Sequence, residues 1–451
     1  KINIAKTLTV SGTLSTENGA AFTGDTLILA GTGTFAANAV QTNALSLSNG
    51  AKATFAGNNA LKKLDLAANS VVSINGGATL TLAQDTVGAA QSVFTGAGTL
   101  ALNKSGLQME SRLSDLGKLI VSKSASLNGT ANVGTLEIAD GATLTQNAAM
   151  TAGNVSFGAN SGLTLNDTLT VTRNIDVGSN KLSGSGTLNL AGGANGTFAT
   201  GNSFQNGHLI VGSGTAKFTG NTTMGAVGFS GNGGTLSITE NNTLTLEKIT
   251  TANNNTVTGA GTLRLTGTGS VFGASIASLG ELNVAGGGAN FTASANVDKV
   301  SFSGGTLTIG SGAILTVSEL TQSGGTFGTI SGAGAFRIGV GKADFTTGGN
   351  SIGGLYIGTG VLNVKSNSKA ERVSFDSADG TLNVDGSTLT VSDALIAAGT
   401  VNGANGTLML ENGGQFKKVL SDFGTIKTNT GALTFYEDAT VKNVYVGDGS
   451  A

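Results

Sequence analysis

Three aspartates in one turn-rich stretch form the densest acidic group of the sequence. Asp376, Asp379 and Asp385 fall within FDSADGTLNVDGS. Carboxylate oxygens are the ligands that hard divalent cations take, so this group is the one weak candidate for a metal site. The stretch lacks the glycine- and aspartate-rich repeat that binds calcium in β-helices, and a polar turn is the simpler interpretation. We therefore expect no metal ion and no cofactor.

Catalytic residues are not indicated elsewhere. β-helical enzymes that cleave polysaccharides need clustered carboxylates, or a carboxylate-bound cation with a base nearby. The only histidine, His208, lies in GHLIV, where related phrases carry Lys118, Glu281 and Thr425. These outward-facing residue types predict a surface strand position for His208. With no cysteine in the chain, thiol chemistry and cysteine metal sites are excluded, and we expect a protein that is not an enzyme.

A glycine-rich phrase, GAGTLRL at Gly259, resembles a phosphate-binding loop only superficially. It precedes a strand instead of opening a helix, and it lacks the lysine of the P-loop, so we do not expect it to bind a nucleotide. The candidate interaction residues lie instead in charged turns and in an insertion that vary along the chain. They are Lys62, Lys63, Gln108, Glu110, Arg112, Glu371, Arg372, Lys417 and Lys418.

One segment near these candidates, residues 106–117, has apolar residues at near-helical spacing. It predicts either a short turn or helix that projects from the fold, or a corner that packs Leu113 and Leu116 inward. Related phrases, IASLG at Ile276 and LSDFG at Leu420, favour the corner.

The phrase at Gly259 is one copy of a repeat that organises the whole chain. Copies start near residues 31, 96, 184, 259, 332 and 403, which are 65, 88, 75, 73 and 71 residues apart. Each is followed by a hydrophobic phrase and then by a short strand that ends in an aromatic residue, as at Phe55, Phe218 and Phe291. A fixed order of strands at a fixed period is typical of a repeat architecture.

This pattern predicts an all-β fold, a parallel β-helix or β-solenoid, built from 73-residue units of about three coils each. We expect one continuous solenoid over residues 1–451, right-handed as crossovers between parallel strands usually are. Asn-Gly turns favour a rival array of antiparallel sandwiches. Few aromatic residues and strands of four or five residues argue against it, and asparagines at equivalent turns predict hydrogen-bonded ladders from coil to coil instead.

Composition limits the partners. Charged residues make up 11% of the chain, with 24 Lys and Arg against 26 Asp and Glu, so no basic surface for nucleic acid is expected. No apolar run is long enough to span a membrane. Because the sequence starts and stops within a repeat, we expect a fragment of a longer secreted protein.

The phrases GxGTLxLxG and LGxLxV, as in residues 259–284, resemble the passenger region of bacterial autotransporters and related large surface proteins. The resemblance implies an extracellular location at the bacterial cell surface and a structural or adhesive rod. Its partners would be a cell-surface or host glycan or protein, or copies of itself. A surface-layer or filament subunit is the alternative, and a glycan-cleaving β-helix such as a phage tailspike or lyase is the third possibility.

Overall fold

The structure is a computed structural model that describes residues 1–84, 86–199, 201–252, 254–322 and 328–447. The described residues form an all-β parallel β-solenoid of about 23 turns without a helix, which confirms the predicted fold class. The chain divides into two compact units, unit 1 (Lys1–Gly225) and unit 2 (Ala226–Ala451). The strand pairings within each unit are parallel, so the antiparallel sandwich alternative is wrong.

The strands of unit 1 are short and closely spaced. They are β1 (Ile2–Val10), β2 (Thr13–Ser15), β3 (Phe22–Leu29), β4 (Thr32–Phe35), β5 (Val40–Leu47), β6 (Lys52–Phe55), β7 (Asn59–Leu61), β8 (Leu64–Leu66), β9 (Val71–Ile74), β10 (Thr79–Leu82), β11 (Thr86–Gly88), β12 (Val93–Leu102), β13 (Leu107–Met109), β14 (Arg112–Val121), β15 (Ala125–Leu127), β16 (Ala131–Ile138), β17 (Thr143–Gln146), β18 (Met150–Phe157), β19 (Gly162–Leu165), β20 (Thr168–Gly178), β21 (Lys181–Gly184), β22 (Thr187–Leu190), β23 (Asn195–Phe198), β24 (Ser203–Val211) and β25 (Thr215–Phe218).

The strand β26 (Thr222–Phe229) contains the boundary between the units, and the strands of unit 2 follow it. They are β27 (Thr235–Ile238), β28 (Thr243–Thr251), β29 (Thr256–Leu265), β30 (Ser270–Phe272), β31 (Ile276–Val284), β32 (Gly288–Phe291), β33 (Ala295–Phe302), β34 (Thr306–Ile309), β35 (Ile314–Gln322), β36 (Thr329–Phe345), β37 (Asn350–Ile357), β38 (Val361–Val364), β39 (Ser368–Phe375), β40 (Thr381–Val384), β41 (Thr388–Ala397), β42 (Thr400–Asn402), β43 (Thr407–Leu410), β44 (Gly414–Phe416), β45 (Leu420–Thr428), β46 (Leu433–Phe435) and β47 (Ala439–Val446).

The alternation of polar and apolar residues along the strands produces the core of both units. In strands that read TLTL or TLNV, every second residue is buried, because successive side chains of a strand point to opposite faces. The inward residues stack in columns from turn to turn. In unit 1, Leu80 pairs with Leu100, Leu100 with Leu119, and Leu119 with Leu136, and all four side chains are buried. These columns supply the apolar burial that no single turn could achieve alone.

The paired residues set the length of a turn. The register of the parallel pairs places partners 17 to 23 residues apart, as in Leu119 with Leu136 and Thr306 with Thr329. A repeat copy of 73 residues therefore spans more than three turns.

Phenylalanines form stacked pairs in the core. The aromatic residue that ends a short strand in the repeat, such as Phe291, lies against a phenylalanine one turn earlier. The ring centroids of Phe272 and Phe291 are 4.7 Å apart with the planes inclined by 12°. Similar stacks join Phe198 to Phe218 at 5.0 Å and Phe35 to Phe55 at 5.4 Å.

The repeated glycine phrase marks a tight corner of the solenoid. Gly259 has a φ of 110°, and a Cβ at this position would lie 2.1 Å from the carbonyl oxygen of Ile238. The parallel register also shifts here, between Gly259 and Thr262. Glycine is required because it alone combines this backbone conformation with so close an approach of the previous turn. The phrase is thus a structural joint, and it lies within β29 instead of before a strand.

Residues 106–117 form two strand segments and a corner instead of a helix. β13 ends at Met109 and β14 begins at Arg112. The register shifts around Asp115, whose φ is 53°, and Leu113 and Leu116 are buried. The corner interpretation is confirmed, and the projecting helix is not formed.

Candidate functional site

A row of hydrogen-bonded polar side chains crosses successive strands of unit 2. Asp344, Asn363, Asn383 and Asn402 occupy paired positions on β36, β38, β40 and β42. Asn383 donates from Nδ2 to Oδ1 of Asn363 at 2.6 Å, and Asn402 donates to Asn383 at 2.9 Å. Asn363 in turn donates to the Asp344 carboxylate. We name these four residues the unit 2 ladder.

The ladder exists because the outward positions of consecutive strands carry the same residue type. The phrases VLNV, TLNV and TVN place an asparagine directly after a buried aliphatic residue, at intervals of 20 and 19 residues. The parallel register brings these intervals into line. Every amide donates toward the carboxylate end, so the ladder is polarised and its terminal hydrogen bond is assisted by charge.

Two lysines neutralise the carboxylate at that end. Lys365 Nζ lies 3.0 Å and Lys342 Nζ 3.3 Å from Oδ2 of Asp344. Burial alone would raise the pKa of the Asp344 carboxyl. The hydrogen bonds from Asn363, Lys365 and Lys342 outweigh burial, and the pKa lies below its ordinary value.

The lowered pKa of Asp344 predicts a loss of stability in acid. A carboxyl whose pKa is lower in the folded than in the unfolded state stabilises the fold fully above its unfolded value of about 3.9, and this contribution disappears as the pH falls through the folded value. We expect the free energy of unfolding of the wild type to fall more steeply with acidification than that of Asp344→Asn. Urea titrations at pH values above and below about 3.9 measure the difference.

Asp379→Asn is the control for this experiment, because Asp379 is exposed in a turn outside the ladder. Identical pH dependence in the wild type and in Asp344→Asn would contradict the coupling between the ladder carboxylate and folding.

An open cleft of about 620 Å³ lies along the ladder. Asn363, Asn383 and Asn402 line it, with Lys365 and Asp385 beside them. The loop of residues 403–405 completes the lining, and Lys442 Nζ donates to the carbonyl oxygen of Ala404 in this loop at 2.9 Å. The cleft therefore presents amide groups over several successive turns, with apolar surface beside them.

Unit 1 contains a second ladder, at turn positions. Asn147 donates to Asn128 at 2.8 Å and Asn166 donates to Asn147 at 2.7 Å, while Asn128 donates to the carboxylate of Glu110. We name Glu110, Asn128, Asn147 and Asn166 the unit 1 ladder. Like the ladder of unit 2 it ends on a carboxylate, so the same arrangement recurs in both units.

The glycine corners also leave grooves on the surface. In unit 2, Gly334 and Gly353 lie on the floor of a groove of about 430 Å³, which Tyr356, Glu371 and Arg372 border. The missing side chains create the space, because a Cβ on Gly353 would lie 2.3 Å from the carbonyl oxygen of Ala333. These grooves are consequences of the joint that the repeat requires.

The three aspartates of the sequence-based metal candidate have separate roles. Asp376 pairs with Arg337, at 2.6 Å from Nη2. Asp379 is exposed in the following turn, and Asp385 lines the unit 2 cleft. Within the described ranges, no three His, Cys, Asp or Glu side chains form a group that could hold a metal ion.

The candidate interaction residues of unit 1 are all exposed. Lys62 donates to Oδ1 of Asn43 at 3.2 Å, and Lys63 lies 2.9 Å from Asp65. Gln108 and Arg112 point outward from β13 and β14. The structure thus places these residues on the surface of unit 1, and their role in interaction stays a prediction.

The candidates of unit 2 are divided between two places. Glu371 and Arg372 border the glycine groove, where Arg372 lies 3.0 Å from Asp393. Lys417 is exposed, and Lys418 donates to the carbonyl oxygen of Ala378.

His208 occupies the predicted outward position on β24 and is exposed. It pairs with Thr187, just as Lys118 pairs with Thr99 and Glu281 with Thr262. The structural equivalence of these positions, predicted from the repeat, is confirmed.

Sequence reasoning predicted asparagine ladders but missed the residues that form them. Asn195, which begins an Asn-Gly pair, accepts a hydrogen bond from the backbone of Thr215 instead of from another asparagine. The signal for the unit 2 ladder was the recurrence of LN or VN at intervals of about 20 residues.

No family model, no curated protein and no solved structure matches the chain. The described part of the chain has no helix that could serve as a membrane span.

Proposed function

We propose that the chain is a non-catalytic adhesive scaffold of an extracellular bacterial surface protein, of the kind that the resemblance to autotransporter passengers implies. The observation that carries the proposal is the pair of outward-facing ladders. Each presents identical amide groups at regular intervals on a fold whose backbone groups are paired from turn to turn.

Preorganised ladders suit a binding surface. We call each side chain of a ladder a rung. Because each rung is already held by hydrogen bonds to its neighbours, binding costs little further rotamer entropy. Each rung contributes one modest polar contact. When several rungs on one scaffold bind at once, avidity makes the total attachment much stronger than any single contact. A multivalent surface of weak polar contacts is the ordinary basis of adhesion.

The charge distribution supports the same function. Several acidic side chains of unit 2 are paired with lysine or arginine, as in Asp344 with Lys365, Asp376 with Arg337 and Asp393 with Arg372. The formal net charge is only −2. Recognition through neutral polar groups fits this surface better than recognition of nucleic acid through bulk charge.

Beads coated with the purified chain test the proposed function. We expect the beads to attach to bacterial or host cell surfaces, and we expect the double variant Asn147→Leu/Asn383→Leu to lower attachment by about tenfold or more, because avidity multiplies the losses. Asn232→Leu, at an exposed turn asparagine outside both ladders, is the control and should attach as the wild type does.

Three results would contradict the proposal. Two of them are attachment that does not depend on either ladder and the absence of any attachment. The other is the release of oligosaccharides from a surface polymer by the purified chain, abolished by substitution of Asp376 or Asp379, which would identify an enzyme. Ordered arrays of the chain without attachment to cells would favour the lattice alternative.

A further inference from the structure

We propose that the unit 2 cleft binds a neutral glycan, with the sugar chain lying along the ladder of Asn363, Asn383 and Asn402. The inference rests on the proposed function and names the ligand class of one of its surfaces. It follows from the hydrogen-bonding capacity, spacing and charge of the lining.

The hydrogen-bonding capacity of the ladder matches hydroxyl groups. An asparagine amide has two N–H donors and an oxygen with two lone pairs. In Asn383, one donor is used by Asn363 and one lone pair by Asn402. The rung keeps one donor and one acceptor at the wall of the cleft. A hydroxyl, which donates and accepts at once, satisfies both.

The spacing of the rungs selects a chain-like ligand. Paired parallel strands lie about 4.8 Å apart, so the amides of the ladder repeat at this interval along the cleft. Sugar rings joined in a chain repeat at a similar interval. In an extended peptide, groups that face one side repeat every two residues, about 6.6 Å, which does not match successive rungs. The ladder therefore fits an oligosaccharide better than a peptide strand.

The charge of the lining favours a neutral ligand. Lys365 is the lysine of the lining, and its ammonium group is held by the Asp344 carboxylate at 3.0 Å. Lys342 adds a second contact to the same carboxylate, and Asp385 contributes an exposed negative charge to the cleft. An anionic polysaccharide would meet Asp385 without an uncommitted positive charge in the lining to offset it.

The cleft is also held in shape. Asn363 is only 8% exposed, so its amide is fixed by the hydrogen bonds of the ladder on both sides. The loop of residues 403–405, which lines the cleft, is held by the hydrogen bond that Lys442 donates to the carbonyl oxygen of Ala404. A site that needs little rearrangement loses less entropy when a ligand binds.

Calorimetric titration of the whole chain tests the inference with three neutral probes. They are the linear hexasaccharides of β-linked glucose, β-linked N-acetylglucosamine and α-linked mannose. We expect at least one to bind, and Asn383→Leu to weaken its binding by about tenfold or more, because the variant removes two hydrogen bonds from the centre of the ladder. Asn232→Leu, at an exposed turn asparagine of the same unit outside the ladder, is the matched control and should leave this binding unchanged.

A second variant distinguishes the loss of a binding contact from a folding defect. Asn402→Ala removes the exposed end rung and leaves the Asn363–Asn383 bond in place. It should weaken the same hexasaccharide by several-fold. In the wild type, the side-chain amide signals of Asn383 and Asn402 should shift on titration in nuclear magnetic resonance spectra.

Several outcomes would overturn the inference. They are the failure of all three neutral hexasaccharides to bind, binding of an anionic hyaluronan hexasaccharide alone, and equal binding by Asn402→Ala and the wild type. The bead assay separates this failure from that of the proposed function. If the beads attach in a ladder-dependent way but the cleft binds no neutral sugar, the adhesive function is still supported. Only the proposal that the cleft binds a neutral glycan is then rejected.

Discussion

Replacing Gly259 with alanine is expected to destabilise unit 2 by about 3 to 5 kcal/mol. The first cause is the backbone, because a φ of 110° strains any residue that carries a Cβ. The second cause is a collision: the new methyl group would lie 2.1 Å from the carbonyl oxygen of Ile238 in the preceding turn. That oxygen belongs to the backbone of a paired strand, so it cannot move aside as a flexible side chain would.

Gly231→Ala is the matched control in the same unit. Gly231 is exposed, its φ is not in the left-handed region, and a Cβ there would meet nothing within 4 Å. We expect a change of less than about 0.5 kcal/mol for the control. Because repeat proteins can open locally, urea unfolding should be combined with hydrogen exchange at the amides of β29 and β31. Equal stability of the two variants would show that the corner adapts.

The same constraint explains why the glycine phrase recurs. Gly96, Gly184 and Gly332 also have positive φ, and a Cβ on each would lie 2.0 to 2.3 Å from a carbonyl oxygen of the previous turn. These three copies make the same corner as Gly259, and the same two constraints require glycine in each. This geometry accounts for the glycine at these positions without any ligand.

The fold could be predicted from the sequence because local patterns determine it. Alternation of threonine with leucine or valine, short strand length and the glycine phrase each predict a stacked strand, and they agree along the chain. The phenylalanine at the end of the short strand, as in Phe218 and Phe291, also marked a core position correctly.

The sequence predicted that asparagine ladders would form, but it did not predict which residues form them, and it did not predict the ion pairs. Turns differ in length, and partners lie 17 to 23 residues apart, so the sequence does not fix which polar residues meet. Arg337 and Asp376, which pair at 2.6 Å, are 39 residues apart and bridge two turns. One added or missing residue between them would change the partner. Polar contacts between turns therefore depend on the register of the whole stack.

Replacing Phe291 with alanine is expected to lower the free energy of unfolding by about 3 to 5 kcal/mol. The loss is comparable to that at Gly259, but it arises from a cavity instead of a steric collision. Phe291 is fully buried and stacks on Phe272 at 4.7 Å, so the variant removes apolar burial and leaves a cavity between two turns. The paired strands that surround the ring restrict the collapse that would fill the space. Phe291→Leu retains much of the volume and should lose less than half as much.

The control for this aromatic deletion is Tyr436→Ala, because the Tyr436 side chain is 60% exposed and leaves no cavity when it is shortened. We expect its stability to change by less than about 0.5 kcal/mol. Urea unfolding followed by circular dichroism compares the three variants, with hydrogen exchange at β30 and β32 as the local measure. If Phe291→Ala and Phe291→Leu were equally stable, the cavity between the turns would not be the cause. The stability of the stack would then rest on its hydrogen-bonded strands and aliphatic columns, and the repeated aromatic position would need another explanation.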